Sequence, residues 1–303
     1  MEPASARSRQ AVQLEPRRSL ARALLVALRP RQWLKNLFVF AGIVFAAKVG
    51  DAGRWVEAFA AFVAFCAASS AAYLVNDVVD APHDRLHALK RLRPIARGEL
   101  ASRTALTAAA ALAAAAFAIG AALGLETLGL VAGFVALQGL YSVALKHVVL
   151  VDVLVIAALF VIRAAAGAVA VDVDISDWLL LCTALLALFL GFAKRRGELV
   201  LVGAERTPGR PVLEGYSLEL VDQLLSVVAA ATVIAYGLYA IENEAAAMPA
   251  TIPFVLFGVF RYLLLVHNHD LGEEPERVLL ADRQLIAAVA TWAFTAALIL
   301  VLS

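Results

Sequence analysis

Along this chain apolar residues arrive in blocks rather than as one-sided stripes. Nine stretches, at approximately 34–50, 54–77, 104–123, 127–145, 148–171, 177–193, 218–241, 248–266 and 281–302, each come close to the ~20 residues a helix needs to cross the hydrocarbon of a bilayer. The pattern predicts an all-α polytopic membrane protein, a bundle of nine transmembrane helices. The first block is the weakest of the nine, being short and opening on Trp33, Lys35 and Asn36.

Charge orients these spans. If the N-terminal end is cytoplasmic, 22 of the 26 Lys and Arg residues fall on the cytoplasmic side of the nine crossings, as the positive-inside rule requires. The outer side keeps Lys48 and Arg54 and gathers Asp172, Asp174, Asp177, Glu242 and Glu244, while Arg163 and Arg261 stay inside spans. The expectation is a cell-membrane protein with its N-terminus inside and its C-terminus outside. The long polar connections, 78–103 and 194–217, are both cytoplasmic, and the chemistry is expected there.

Composition adds less. The chain is 62% hydrophobic and 17% charged, and its net charge of +1 hides the segregation by segment and gives no pointer to nucleic acid. No polar stretch is long enough to bury a core of its own. The expected organisation is therefore a disordered basic tail over residues 1–28 and one membrane domain over 29–303. The tail lacks the apolar region and small-residue cleavage site of a signal peptide. Cys66 and Cys182 are isolated and read as small core residues. The Ala-rich run 105–122 reads as close helix packing in lipid.

The polar groups that stand out lie at the end of the second block. Asn76, Asp80 and Asp84 fall at i, i+4, i+8, and Asp77, Asp80 and Asp84 at i, i+3, i+7, so a helix places all four on one broad face. Ionisable groups at the end of an apolar span are expensive and mark function, although pairing with neighbouring Arg85, Lys90 and Arg91 is the plainer reading. Pro82 is expected to break the helix and set Asp84 on a new segment. Oxygen donors in this arrangement suit Mg²⁺, which takes one or two carboxylates and leaves its other positions to water and phosphate. The basic run behind them, Lys90, Arg91, Arg93 and Arg97, is suited to clamping a diphosphate. Lys35 and Asn36, within the stretch Arg29 to Asn36, are weighed between an interfacial anchor and substrate contact. Arg163 must find a partner within the membrane, either a carbonyl or a lipid phosphate. His267 and His269 read as loop residues without a third ligand.

These motifs carry a resemblance. Asn76-Asp77-Val78-Val79-Asp80-Ala81-Pro82-His83-Asp84 is similar to the first acidic motif of the UbiA-type intramembrane prenyltransferase superfamily. More narrowly, Arg29 to Asn36 (RPRQWLKN), Tyr73 to Asp80 (YLVNDVVD), Lys90 to Gly98 (KRLRPIARG), Tyr141 to His147 (YSVALKH) and Ala193 to Leu199 (AKRRGEL) resemble its decaprenyl-phosphate phosphoribosyltransferase branch. The likeness runs from about Leu28 to the C-terminus. It implies transfer of a 5-phosphoribosyl group from phosphoribosyl pyrophosphate to a polyprenyl phosphate, with Mg²⁺, feeding arabinose donors for cell-envelope polysaccharide. The implied catalytic residues are Asp77, Asp80 and Asp84, and the implied metal ligands are Asn76, Asp77, Asp80 and Asp84. Implied substrate contacts are Lys35, Asn36, Tyr73, Lys90, Arg91, Arg93, Tyr141, Lys146, Arg163, Lys194, Arg195 and Glu198.

One departure from the superfamily is informative. Its second aspartate-rich motif is missing at the end of the sixth span, where Lys194, Arg195, Glu198 and Glu205 stand instead. Lys194 and Arg195 are the candidates for the donor's 5-phosphate, and Lys194 with Glu198 otherwise reads as a surface pair at i, i+4. Asp152 is expected to pair with Lys146 or Arg163. Two rival readings are an aromatic prenyltransferase using a polyprenyl diphosphate and, from another class, a secondary transporter. Membrane lipids are expected neighbours in every case, and a homo-oligomer is compatible with the pattern.

Overall fold

The structure, a computed structural model, describes residues 18–45, 50–86, 90–205, 211–268, 278 and 281–302, without the side chains of residues 45 and 202–205. Its helices are α1 (Leu20–Leu28), α2 (Ala41–Phe45), α3 (Ala52–Asp84), α4 (Ser102–Leu123), α5 (Leu125–Val143), α6 (Val151–Ala170), α7 (Asp177–Glu205), α8 (Leu218–Glu242), α9 (Ile252–Asn268) and α10 (Arg283–Leu302). Among the described residues eight helices, α3 to α10, are long and apolar enough to cross a membrane. From α3 onward each helix packs on the next, and α10 returns to touch α2, so the bundle closes on itself. The most enclosed helices are α3 and α6.

The block expected at 34–50 is not a ninth apolar α-helix. Residues Pro30–Phe40 form a 3-10 helix that leads into the five-residue α2, and residues 46–49 lie outside those described. Laid end to end, at ~2.0 Å per residue for the first part and ~1.5 Å for the second, these segments reach roughly 30 Å, about the thickness of the hydrocarbon. The narrow winding accompanies a backbone-to-backbone contact with α6. A Cβ on Gly167 would lie 1.8 Å from the Val39 carbonyl oxygen, and one on Gly42 would lie 2.6 Å from the Cα of Ala168. Small residues are what permit such an approach in a membrane.

Residues 20–28, expected within a disordered tail, form α1, while residues 1–17 lie outside those described. Ser19 caps the helix through the Arg22 amide, and Ala23 and Ala27, one turn apart, are buried in a cluster with Ala71 and Leu74 of α3. Leu20, Leu25 and Val26 of the same helix are exposed.

The expected break at Pro82 does not occur. Helix α3 begins at an Asp51 cap and runs 33 residues through Pro82 to Asp84, with the Arg85 amide still bonding back to Ala81. Pro82 removes a single donor within the last turn, where few bonds remain to be lost. At ~1.5 Å per residue the helix is about 50 Å long, well beyond the ~30 Å of hydrocarbon. Asp77, Asp80 and Asp84 all lie within its last eight residues.

Gly167→Ala is expected to lower the thermal midpoint of the detergent-purified protein, the overpacking costing roughly 1–3 kcal/mol. Gly133→Ala on α5, where a Cβ would meet nothing within 4 Å, leaves the midpoint unchanged or higher. Equal effects at the two positions would contradict the close approach of Val39 to α6.

Candidate functional site

At the C-terminal end of α3, Asp77 and Asp84 lie two turns apart on one face, both less than 5% exposed. The Arg93 guanidinium bridges them, with Nη1 2.6 Å from Asp84 Oδ2 and 3.3 Å from Asp77 Oδ1. Arg29 Nη2 donates to Asp77 Oδ1 at 2.5 Å from the other side. Arg29 reaches it because it ends α1 in the left-handed region, at φ 56°, and its guanidinium lies over the Tyr73 ring at 4.8 Å. Arg93 is presented by a compact turn in which the amides of Arg97, Glu99 and Leu100 bond to the carbonyls of Arg93 and Pro94, and which Arg85 grips through the Ala96 carbonyl. Glu99 ties the turn to the chain before α1 through Arg97 and Arg18. A cavity of about 260 Å³ opens here, lined by Arg18, Arg29, Arg93 and Asp77 together with Val26, Leu92 and Pro94.

The other expected members of the acidic face are placed differently. Asn76 turns its amide to Ser142 of α5 at 3.1 Å, and Asp80, half-buried, pairs with no cation among the described residues. Lys90 and Arg91 stand on the same turn as Arg93. Lys146 lies on the 3-10 turn that follows α5.

A second polar cluster joins α6 and α7. Arg195 is 1% exposed, its Nε 2.8 Å from Asp152 Oδ2, out of line for a hydrogen bond, and its Nη1 in contact with Glu198. Asp152 thus pairs with Arg195 rather than with Lys146 or Arg163, and Glu198 pairs with Arg195 at i, i+3. The Tyr216 hydroxyl donates to Asp152 Oδ1 at 2.7 Å and accepts from the Leu150 amide at 2.7 Å. Burial, reinforced by the bond to Asp152, holds the Tyr216 phenol protonated well above its ordinary range. Tyr141 lies within electrostatic reach of Arg195, and the adjacent Ser142 is the residue that holds Asn76, so the end of α5 links the two clusters. Lys194, half-buried, stands about 100° round the helix from Arg195, and the Glu205 side chain lies outside those described.

Arg163 and Asn36 are buried together. Arg163 Nε donates to Asn36 Oδ1 and Nη1 to the Leu159 carbonyl, each at 2.7 Å, and the guanidinium stacks 4.5 Å from the Phe134 ring and 5.3 Å from Phe160. No carboxylate pairs with it among the described residues. Asn36 continues to the Cys66 sulfur, whereas Lys35 bonds to Gln32. His267 ends α9 near Asp222, and His269 lies outside the described residues.

The UbiA prenyltransferase family profile matches residues 36–281. The chain belongs to this family. It is 36% identical to the decaprenyl-phosphate phosphoribosyltransferase of Mycolicibacterium smegmatis over 91% of this chain and 92% of that one. It is 37% identical to the protein of the same name from Mycobacterium tuberculosis, over 93% and 95%. Its fold is similar to that of a UbiA homolog from Archaeoglobus fulgidus bound to GPP and Mg2+, with a TM-score of 0.73 over 93% of this chain and 100% of that one, at 19% identity.

For a UbiA family member the fit of the acidic face to a metal is a direct question. No three His, Cys, Asp or Glu side chains converge as a metal cluster among the described residues, so the four-residue set reduces to two convergent carboxylates. Two carboxylates are what Mg²⁺ requires when phosphates and water supply its remaining positions. The Arg93 guanidinium already stands between them, so the donor set suits a cation at that point.

Asp152→Asn and Arg195→Met are each expected to lower the thermal midpoint strongly, since breaking a buried pair costs about 3–5 kcal/mol. The double variant loses less than the sum of the two. Additive losses would deny the coupling.

Proposed function

We propose that this protein transfers the 5-phosphoribosyl group of phosphoribosyl pyrophosphate to a polyprenyl phosphate, decaprenyl phosphate by analogy with its named relatives, releasing diphosphate. The observation that carries this reading is the 36–37% identity to decaprenyl-phosphate phosphoribosyltransferases over more than nine-tenths of each chain. The site supports it, since a paired-carboxylate face adjoins arginines from two separate segments.

In this reading Asp77 and Asp84, with Asp80 beside them, hold Mg²⁺. When bound there it neutralises charge on the departing diphosphate. Arg93, Arg29, Lys90 and Arg91 contact phosphate oxygens, and Lys194 receives the donor's 5-phosphate. Arg195, closed in by Asp152 and Glu198, fixes Glu198 at the edge of the site rather than meeting phosphate itself. As the bond from the anomeric carbon to the diphosphate lengthens, the ribose becomes oxocarbenium-like. An oxygen of the lipid phosphate attacks that carbon and the diphosphate leaves. A phosphate monoester is already anionic at neutral pH, so the residues position and neutralise rather than deprotonate. The cavity beside Asp77 combines three arginines with Val26, Leu92 and Pro94, the two characters an amphiphilic acceptor demands. We also propose that the site and N-terminus face the cytoplasm and the C-terminus the outside, in keeping with the distribution of Lys and Arg.

Purified protein with labelled phosphoribosyl pyrophosphate, polyprenyl phosphate and Mg²⁺ is expected to yield lipid-linked phosphoribose, and an absence of that product would refute the activity. Asp84→Ala reduces kcat by at least about 100-fold in a protein that still folds. Lys194→Ala raises the apparent KM for the ribosyl donor by about fivefold or more with a smaller change in kcat. An unmoved KM places the 5-phosphate elsewhere.

A further inference from the structure

The buried acid pair is neutralised by arginines of this chain. Asp77 and Asp84 are fixed on a helix and enclosed, at 2% and 5% side-chain exposure. Their partners Arg29 and Arg93 are the open members of the pairs, at 30% and 28%, and come from an elbow after α1 and a turn before α4. Both arginines also line the cavity of about 260 Å³, where Arg18 is the third. They therefore face two ways, toward the carboxylates and toward the space beside them.

A divalent cation entering between Asp77 and Asp84 meets two positive charges in contact with its ligands. A diphosphate entering alone meets arginines already engaged and Asp77 among the cavity walls. Each ligand by itself works against the resident charges, whereas the two together match them. We propose that Arg29 and Arg93 are exchangeable partners that neutralise Asp77 and Asp84 and turn to the phosphate oxygens in the cavity when the metal and diphosphate bind. This rests on the reading of Asp77 and Asp84 as metal ligands. Binding of metal and diphosphate is then coupled through the arginines, and the coupling acts equally in both directions.

The exchange gives Arg93 opposite effects on two ligands. A residue that only supports the fold weakens both ligands when replaced. One that only contacts phosphate weakens the diphosphate and leaves the metal alone.

The test uses full-length protein in detergent and calorimetry, with Mn²⁺ alone and with inorganic diphosphate at saturating Mg²⁺. Arg93→Gln is expected to tighten Mn²⁺ by at least about tenfold, through loss of a like charge beside the ligands, and to weaken diphosphate by a similar factor. Arg29→Gln, expected to move both affinities in the same directions, serves if Arg93→Gln fails to fold. Asp84→Asn is expected to lose Mn²⁺. If it binds Mn²⁺ like the parent, the metal reading and the exchange both fall. If Asp84→Asn loses Mn²⁺ but neither arginine variant binds Mn²⁺ more tightly, the exchange alone is overturned.

Discussion

Two carboxylates held nearly out of water at the end of a membrane helix set the terms for the rest of this site. Burying a carboxylate this far is costly unless a cation lies against it. The cations come from segments that would otherwise have no reason to meet. Arg29 brings the end of α1 onto α3, and Arg93 brings the turn between α3 and α4 onto the same face. Arg18, through Glu99, then joins those two segments to each other. The C-terminal end of α3 is thus capped by ion pairs, on a bundle whose core clusters are apolar.

Close backbone packing is the complementary constraint. The segment from Pro30 to Phe45 can lie against α6 only because Gly42 and Gly167 remove side chains from the contact. That contact puts Asn36 within 2.7 Å of Arg163 and so decides the fate of both residues. A charge that would otherwise seek lipid phosphate is satisfied by an amide, a carbonyl and two aromatic faces. Tyr73, in electrostatic reach of Arg163 and beneath Arg29, stands between this buried charge and the acid pair.

What the sequence made legible follows from this physics. Eight apolar blocks announce eight helices because composition alone qualifies them to span. The block at 34–50 has the composition but not the geometry, since a hydropathy window does not register that Gly42 will meet Ala168. Asp77 and Asp84 stood out as carboxylates ending an apolar run, and Arg93 as a neighbour of theirs in the chain. Arg29 opens the stretch to Asn36 in which Lys35 and Asn36 stood out instead, and it lies 48 residues from Asp77. Its role depends on a left-handed turn that no local motif signals. Arg195 was read with Lys194 because the two adjoin in sequence. Successive residues on a helix point about 100° apart, so adjacency separated rather than paired them. Asp152 and Tyr216, 64 residues apart, had no shared pattern to betray their contact.

The cationic centres differ in how completely they are compensated, and that difference orders the site. Arg195 is closed between two carboxylates and contributes shape more than field. Arg29 and Arg93 are balanced by Asp77 and Asp84 only while they remain in contact with them. Arg163 has no carboxylate partner among the described residues and is 5% exposed, so its charge acts on its surroundings at a distance rather than by contact. In low-dielectric surroundings such a fixed charge is weakly screened and raises the potential above it. A ligand carrying several phosphates therefore approaches a face whose acids are locally neutralised, near one buried guanidinium that no carboxylate offsets among the described residues.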